Sequence, residues 1–190
     1  MSNKSQSNKS QLRDVTRTSR SARGSSSLID DPLITHLLSH LQSLGAKTIA
    51  AYSPLPAEPG GPALLPALAE ADYDIWLPVT LAAGQLQWAR FEPGRLTPGK
   101  YFGISEPAGQ RHDSTVLAAC DAIIVPALAV DKHGMRLGQG AGYYDRALVH
   151  APGIPRIALV YDDEVYAEIP ADPHDQPVDA AVTQTGVKVF

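Results

Sequence analysis

The sequence predicts an α/β fold: one three-layer domain with a mostly parallel central sheet and helices on both faces. Three observations point there. Strand and helix signals alternate along most of the chain, the most apolar run (DAIIVPALAV, 121–130) reads as a buried central strand, and no internal repeat appears.

The elements follow in order. Asp30 and Asp31 can cap a helix whose first turn holds Pro32. Leu33, Ile34, Leu37, Leu38, Leu41 and Leu44 then recur at helical period, and Gly45 closes the helix. KTIAAY, 47–52, is a short strand, followed by the loop SPLPAEPGGP and a helix over 63–71 interrupted by Pro66. Residues 74–80 form a second strand and 85–91 a third with alternating faces, joined through Gly84. The turn-rich stretch 92–107 is long enough to suspect function. After the central strand come a glycine loop, a helix from Tyr143 to His150, a strand at Arg156–Tyr161 and terminal strands over 178–182 and 187–190.

Composition bounds the function. At 190 residues, 44% hydrophobic and 19% charged, the chain suits one globular domain. Its single cysteine, Cys120, excludes a disulfide framework and a cysteine zinc site, and fits a reducing compartment. No run approaches the ~20 apolar residues a membrane helix needs, and no secretory signal is visible. A cytoplasmic protein with no membrane partner is expected.

The net charge of −4 argues against bulk nucleic-acid binding, but it is unevenly spread. Residues 1–30 carry +4, leaving −8 on the remainder. Residues 1–8 are polar, lack an apolar anchor and are expected to be a disordered tail. A basic arm over 9–23 and a short linker over 24–29 follow. Lys9, Arg13, Arg17 and Arg20 share one face of a helix, where like charges repel unless an anion sits against them. A solvated arm, a transit-like leader and a phosphate-binding arm all fit that spacing.

Chemistry concentrates in the glycine loop, Arg136-Leu137-Gly138-Gln139-Gly140-Ala141-Gly142-Tyr143-Tyr144, which opens a helix. Alternate glycines can fold the backbone into a nest of N–H groups that approaches an anion closely. Arg136 and Arg146 can add charge-assisted bonds to phosphate. The spacing is neither the dinucleotide fingerprint nor the P-loop, and a flexible turn explains three glycines about as well.

The segment VPALAVDKHGMRLGQGAGYYDRAL, 125–148, resembles the signature of the 5-formyltetrahydrofolate cyclo-ligases, also called methenyltetrahydrofolate synthetases. Further landmarks occur in family order: K-x-x-L-R at Lys9–Arg13, AYSPLPAE at 51–58, YFGISEP at 101–107 and PHDQPVDAAVT at 173–183. The resemblance implies ATP- and Mg²⁺-dependent closure of 5-formyltetrahydrofolate to 5,10-methenyltetrahydrofolate, with release of ADP and phosphate. It implies that Lys9, Arg13 and Arg136 through Tyr144 bind ATP. It places Ser53, Glu58, Gln139, Gly140 and Tyr143 against the reduced folate, and makes Asp145 and Asp179 the magnesium-associated positions. Such chemistry needs no nucleophilic serine or cysteine, because phosphoryl transfer asks mainly for positioning and charge neutralisation. A monomer acting on small molecules, without nucleic acid, is expected.

The chain departs from the pattern where Glu58 is followed by Pro59-Gly60-Gly61 and where Ala141 precedes the last loop glycine. A non-catalytic nucleotide- or folate-binding relative is therefore the alternative reading, and a basic-armed RNA binder a third. His36 and His40 at i, i+4 lack the zincin glutamate and read as a helix-surface pair. Cys120 reads as a packed thiol, and Tyr101-Phe102-Gly103 as a turn near the substrate cleft or simply a packed loop.

Overall fold

The computed structural model describes residues 2–24, 26–101 and 103–190. Its helices are α1 (Ser2–Arg23), α2 (Ser27–Ser43), α3 (Leu64–Glu70) and α4 (Tyr143–Leu148). The first strands are β1 (Thr48–Ala50), β2 (Asp74–Thr80), β3 (Leu86–Arg90), β4 (Leu96–Pro98), β5 (Ser105–Pro107) and β6 (Ala122–Pro126). They are followed by β7 (Ala129–Asp131), β8 (Arg136–Leu137), β9 (Arg156–Leu159), β10 (Val165–Tyr166), β11 (Ala180–Thr183) and β12 (Gly186–Val189).

Among the described residues the main sheet has the order β12-β11-β9-β6-β1-β2-β3. Its five inner strands run parallel, and the edges β3 and β12 pair antiparallel to β2 and β11. The mostly parallel sheet is as expected.

Period-two alternation divides the core. Ile124, Ile157 and Leu159 face one side, where Leu33, Leu37 and Leu41 of α2 and Leu64 and Leu68 of α3 cover them. Ile123, Val125 and Ala158 face the other, against Trp88, Leu117, Ala147 and Leu148. Each fully buried leucine of this stripe is worth about 1.5–3 kcal/mol of transfer free energy. Helical segments thus cover both faces.

Four expectations need correcting. The apolar run 121–130 is two strands, not one: β6 ends at Pro126, which offers no N–H for further pairing, and the Leu128 N–H turns away to the Leu137 carbonyl. The run reads as continuous because Ala127 and Leu128 are buried at the crossing. The helix expected to start after Asp30 starts at Ser27, with Ser26 at its cap and Pro32 inside it. Residues 92–107 contain the antiparallel pair β4–β5, too short to leave a period. Finally, α1 begins at Ser2 instead of Lys9: the expected tail forms its first two turns, with Gln6, Ser7 and Asn8 exposed and Lys9 the first buried side chain described. Tyr101 sits in the turn between β4 and β5, while Phe102 lies outside the described residues.

Candidate active site

The glycine loop is presented by a second, three-stranded sheet, β10-β7-β8. It therefore follows the short strand β8 and not the central strand, as the sequence had implied. The β7–β8 hairpin is fixed by Asp131, whose Oδ1 accepts from the His133 and Met135 N–H groups and whose Oδ2 accepts from Ile169. From β8 the chain runs through Gly138 to Gly142 into α4. Gly140 (φ +99°) and Gly142 (φ +68°) occupy the left-handed region, so the loop's curvature depends on glycine at both.

Four guanidinium groups surround this loop. The Arg13 Nε donates to the Gly138 carbonyl at 2.9 Å, and a Cβ on Gly140 would lie 3.2 Å from the Arg13 Cζ. Arg17 reaches the Gln139 side chain at 2.8 Å. Arg136, buried in β8, donates to Asp145 Oδ1 at 2.6 Å, and that same oxygen accepts from the Gln176 N–H. Arg146 donates to the carbonyls of Gly84 and Ala141, bracing the loop against the β2–β3 connection, where Tyr143 also donates to the Leu81 carbonyl.

The basic face of α1 is docked largely by charge. Lys9, 6% exposed, bonds Asp172 at 2.8 Å and Asp175 at 2.5 Å. Burial works against its ammonium charge, but the two carboxylates outweigh it and hold its pKa above the ordinary lysine value. Arg20, 4% exposed, bonds both oxygens of Glu164 and the Ala127 carbonyl, and Arg23 pairs with Asp163. The like charges of the stripe thus meet protein carboxylates and loop carbonyls. No local pattern pairs Asp172, Asp175 or Glu164 with this stripe. Asp172-Pro-His-Asp175 was readable as a local acidic pair, whereas Glu164 has no signal in the sequence.

The other half of the site lies beyond the carboxyl end of β1, where Tyr52 and Ser53 are buried. Glu58 is half-buried there, with its Oε2 accepting from the Leu55 N–H. Desolvation raises its pKa, opposed by that hydrogen bond and by Arg20. Tyr144 stands between the halves. Its buried hydroxyl has no hydrogen-bond partner, its ring meets Trp88 edge-on, and both Arg136 and Glu58 act on it electrostatically. Burial raises its pKa far above the ordinary tyrosine value. The Nε of Arg136 is likewise buried without a partner. Tyr144, expected among the nucleotide ligands, thus neighbours the Glu58 side as well.

Asp179 is the expected site residue that the structure separates from the rest. Its Oδ2 accepts from the Arg156 N–H, at the amino end of β9, whereas the glycine loop and Ser53 lie toward the carboxyl ends of the parallel strands. Being exposed at a strand start, it serves there as a main-chain acceptor, and it is not brought to Asp145. His36 bonds the Thr183 carbonyl at 3.0 Å, as suits a helix-surface residue. Among the described residues the one close cluster of potential metal ligands is Asp172, His174 and Asp175, and Lys9 already bonds both of its carboxylates. Burial pushes the Cys120 thiol up to about 11, so it is a poor nucleophile.

The model of the 5-formyltetrahydrofolate cyclo-ligase family matches residues 3–184. The chain belongs to that family. It is 46% identical over 138 residues to the 5-formyltetrahydrofolate cyclo-ligase of Mycolicibacterium smegmatis, covering 70% of this chain and 71% of that one. The enzyme of the same name from Escherichia coli strain K12 is 28% identical over 158 residues, covering 80% and 86%. The NMR structure of Aquifex aeolicus 5,10-methenyltetrahydrofolate synthetase superposes with a TM-score of 0.75 at 32% identity, covering 95% of this chain and 92% of that one. The corresponding Mycoplasma pneumoniae structure, at 22% identity and TM-score 0.72 over 93% and 98%, shares the fold. Family membership makes this protein an enzyme of the cyclo-ligase type. Among the described residues no helix is long and apolar enough to cross a membrane.

Proposed function

We propose that the protein closes 5-formyltetrahydrofolate to 5,10-methenyltetrahydrofolate in an ATP- and Mg²⁺-dependent reaction that releases ADP and phosphate. The observation carrying this reading is Tyr144, set between a guanidinium-ringed glycine loop and a half-buried carboxylate, with its hydroxyl unpartnered. One side of it suits phosphate and the other a nitrogen heterocycle.

On the nucleotide side, the segment Arg136–Tyr144 receives the triphosphate. The left-handed Gly140 and Gly142 let backbone approach phosphate oxygens, and Lys9, Arg13 and Arg136 supply positive charge. Asp145 would hold the magnesium. A single carboxylate beside a phosphate loop fits an ion that keeps most of its ligands as water and phosphate oxygen, and the ion supplies charge neutralisation. For Arg136 to face phosphate, its pair with Asp145 must open or be shared.

On the folate side, Glu58 accepts from the pterin N–H groups, Ser53 and Tyr143 line the folate, and Gln139 and Gly140 touch both substrates. The formyl oxygen attacks the γ-phosphorus as ADP leaves. N10 then attacks the activated carbon, closing the five-membered ring; N10 gives up its proton and phosphate departs with the former formyl oxygen, taking that proton directly or through water. The protein's work is alignment and charge neutralisation. The test is to mix purified protein with 5-formyltetrahydrofolate, Mg²⁺ and ATP and follow the near-ultraviolet band of methenyltetrahydrofolate. ATP-dependent growth of the band is expected, and its absence with both ligands bound would overturn the reading.

A further inference from the structure

The loop that departs from the family pattern after Glu58 is tied to α2 by Asp30. Pro59 has no N–H to offer, and Gly60 (φ +83°) and Gly61 (φ +45°) both take left-handed conformations that turn the chain inward. The turn closes on itself through the Gly61 N–H to the Glu58 carbonyl and the Glu58 N–H to the Leu55 carbonyl, each at 2.9 Å. The Gly60 N–H ties it to α2, donating to Asp30 Oδ1 at 3.0 Å, while the Gly60 carbonyl accepts from the Leu64 N–H at the start of α3.

Asp30 is 2% exposed on the first turn of α2. The same Oδ1 accepts from the Tyr161 hydroxyl at 3.2 Å, and Oδ2 accepts from the Ser26 N–H at 3.2 Å. Tyr161 is itself placed by Glu164, whose Oε2 accepts its N–H at 2.9 Å, and Glu164 takes both hydrogen bonds from Arg20 of α1. A continuous buried chain therefore runs Arg20–Glu164–Tyr161–Asp30–Gly60. It connects the docked basic arm to the loop that carries Glu58.

We infer that Asp30 is the positioning residue for Glu58, and through it a determinant of folate affinity. The inference rests on the folate reading of Glu58 given above. A carboxylate suits this place because, among the described residues, donors from Ser26, Gly60 and Tyr161 converge on it. Asparagine's single oxygen either stays on Gly60 and Tyr161, setting its N–H₂ against the Ser26 N–H that begins α2, or turns to Ser26 and gives up the Gly60 N–H; in both cases the tie between α2 and the loop is loosened. Asp30 touches no reacting atom, so the loss falls on folate binding and spares the nucleotide.

The experiment measures binding of 5-formyltetrahydrofolate and of ATP separately, in wild type, Asp30→Asn, Glu58→Gln and the double variant. Asp30→Asn should weaken the folate about tenfold while ATP affinity changes less than about twofold. The double variant should bind folate no worse than Glu58→Gln alone, because the two residues act as one unit. Additive losses, a parallel loss of both ligands, or wild-type folate affinity in Asp30→Asn would overturn the inference. Should Asp30→Asn fail to fold, Tyr161→Phe removes the hydroxyl donor to Asp30 and should weaken folate about threefold, and an unchanged affinity there would equally overturn it. If wild-type protein binds no 5-formyltetrahydrofolate, the folate reading itself fails, which the variants alone cannot produce.

Discussion

The central sheet and the N-terminal helix hold their places by opposite means. Where α2 and α3 cover the sheet, Leu33, Leu37, Leu41, Leu64 and Leu68 are fully buried against isoleucine and leucine. Where α1 covers the glycine loop, the buried residues among its described side chains are Lys9, Thr16 and Arg20, and Leu12 is the one of those side chains in an apolar cluster. Apolar burial is non-directional and barely sensitive to salt, whereas paired charges depend on geometry, pH and ionic strength. The difference teaches that the arm is a conditional part of the fold. Arg13 and Arg17 already reach the glycine loop proposed to receive phosphate, and Lys9 and Arg20 are held by carboxylates.

Gly140→Val forces a β-branched residue into φ +99° against Arg13, and should raise the ATP KM about 100-fold with the circular dichroism spectrum unchanged. An unaltered KM would detach the loop from the nucleotide. Leu37→Ala, in the apolar layer, should cost about 2–5 kcal/mol of unfolding free energy by denaturant titration, with the same loss at low and high salt. Glu58→Gln keeps the Leu55 N–H bond but removes a carboxylate whose pKa burial raises. A raised carboxylate destabilises the fold as pH climbs past its unfolded value, so this variant should match or exceed wild-type stability at neutral pH while binding folate about tenfold more weakly.

The smallest effect concerns the arm alone. Asp175 is held below its ordinary value of 3.8 and Lys9 above its ordinary 10.5. The stabilisation from Asp175 is present above pH 3.8 and lost as pH falls through its lowered value, while that from Lys9 is present below 10.5 and lost as pH rises through its raised value. Limited proteolysis at α1 should therefore be slowest between those limits and should quicken outside them before the sheet unfolds. Equal protection of α1 and β6 outside those limits as well as between them would erase the contrast.

The same division explains what the sequence revealed. The strand at 74–80 coincides with β2, and Leu33 through Leu41 mark α2, because one buried face imposes a period on the residues themselves. Burial without a boundary does not, so 121–130 concealed the passage at Pro126 from one sheet to another. The glycine loop and Glu58 were legible through their match to a family signature. The partners of the basic stripe were not: Lys9 meets Asp172 163 positions away and Arg20 meets Glu164 144 positions away, and no local pattern encodes such pairs. Asp30 shows the mixed case, since a residue readable as a helix cap also serves a loop thirty positions on.

Both halves of the site are proposed to serve one transfer, in which the formyl oxygen is carried off on phosphate. The most direct measurement uses 5-formyltetrahydrofolate labelled with ¹⁸O at the formyl group, incubated with the protein, ATP and Mg²⁺, with mass analysis of the phosphate released. The proposed chemistry predicts one ¹⁸O per phosphate, in step with methenyltetrahydrofolate formed. Unlabelled phosphate accompanying product, or product formed without ATP consumption, would contradict it.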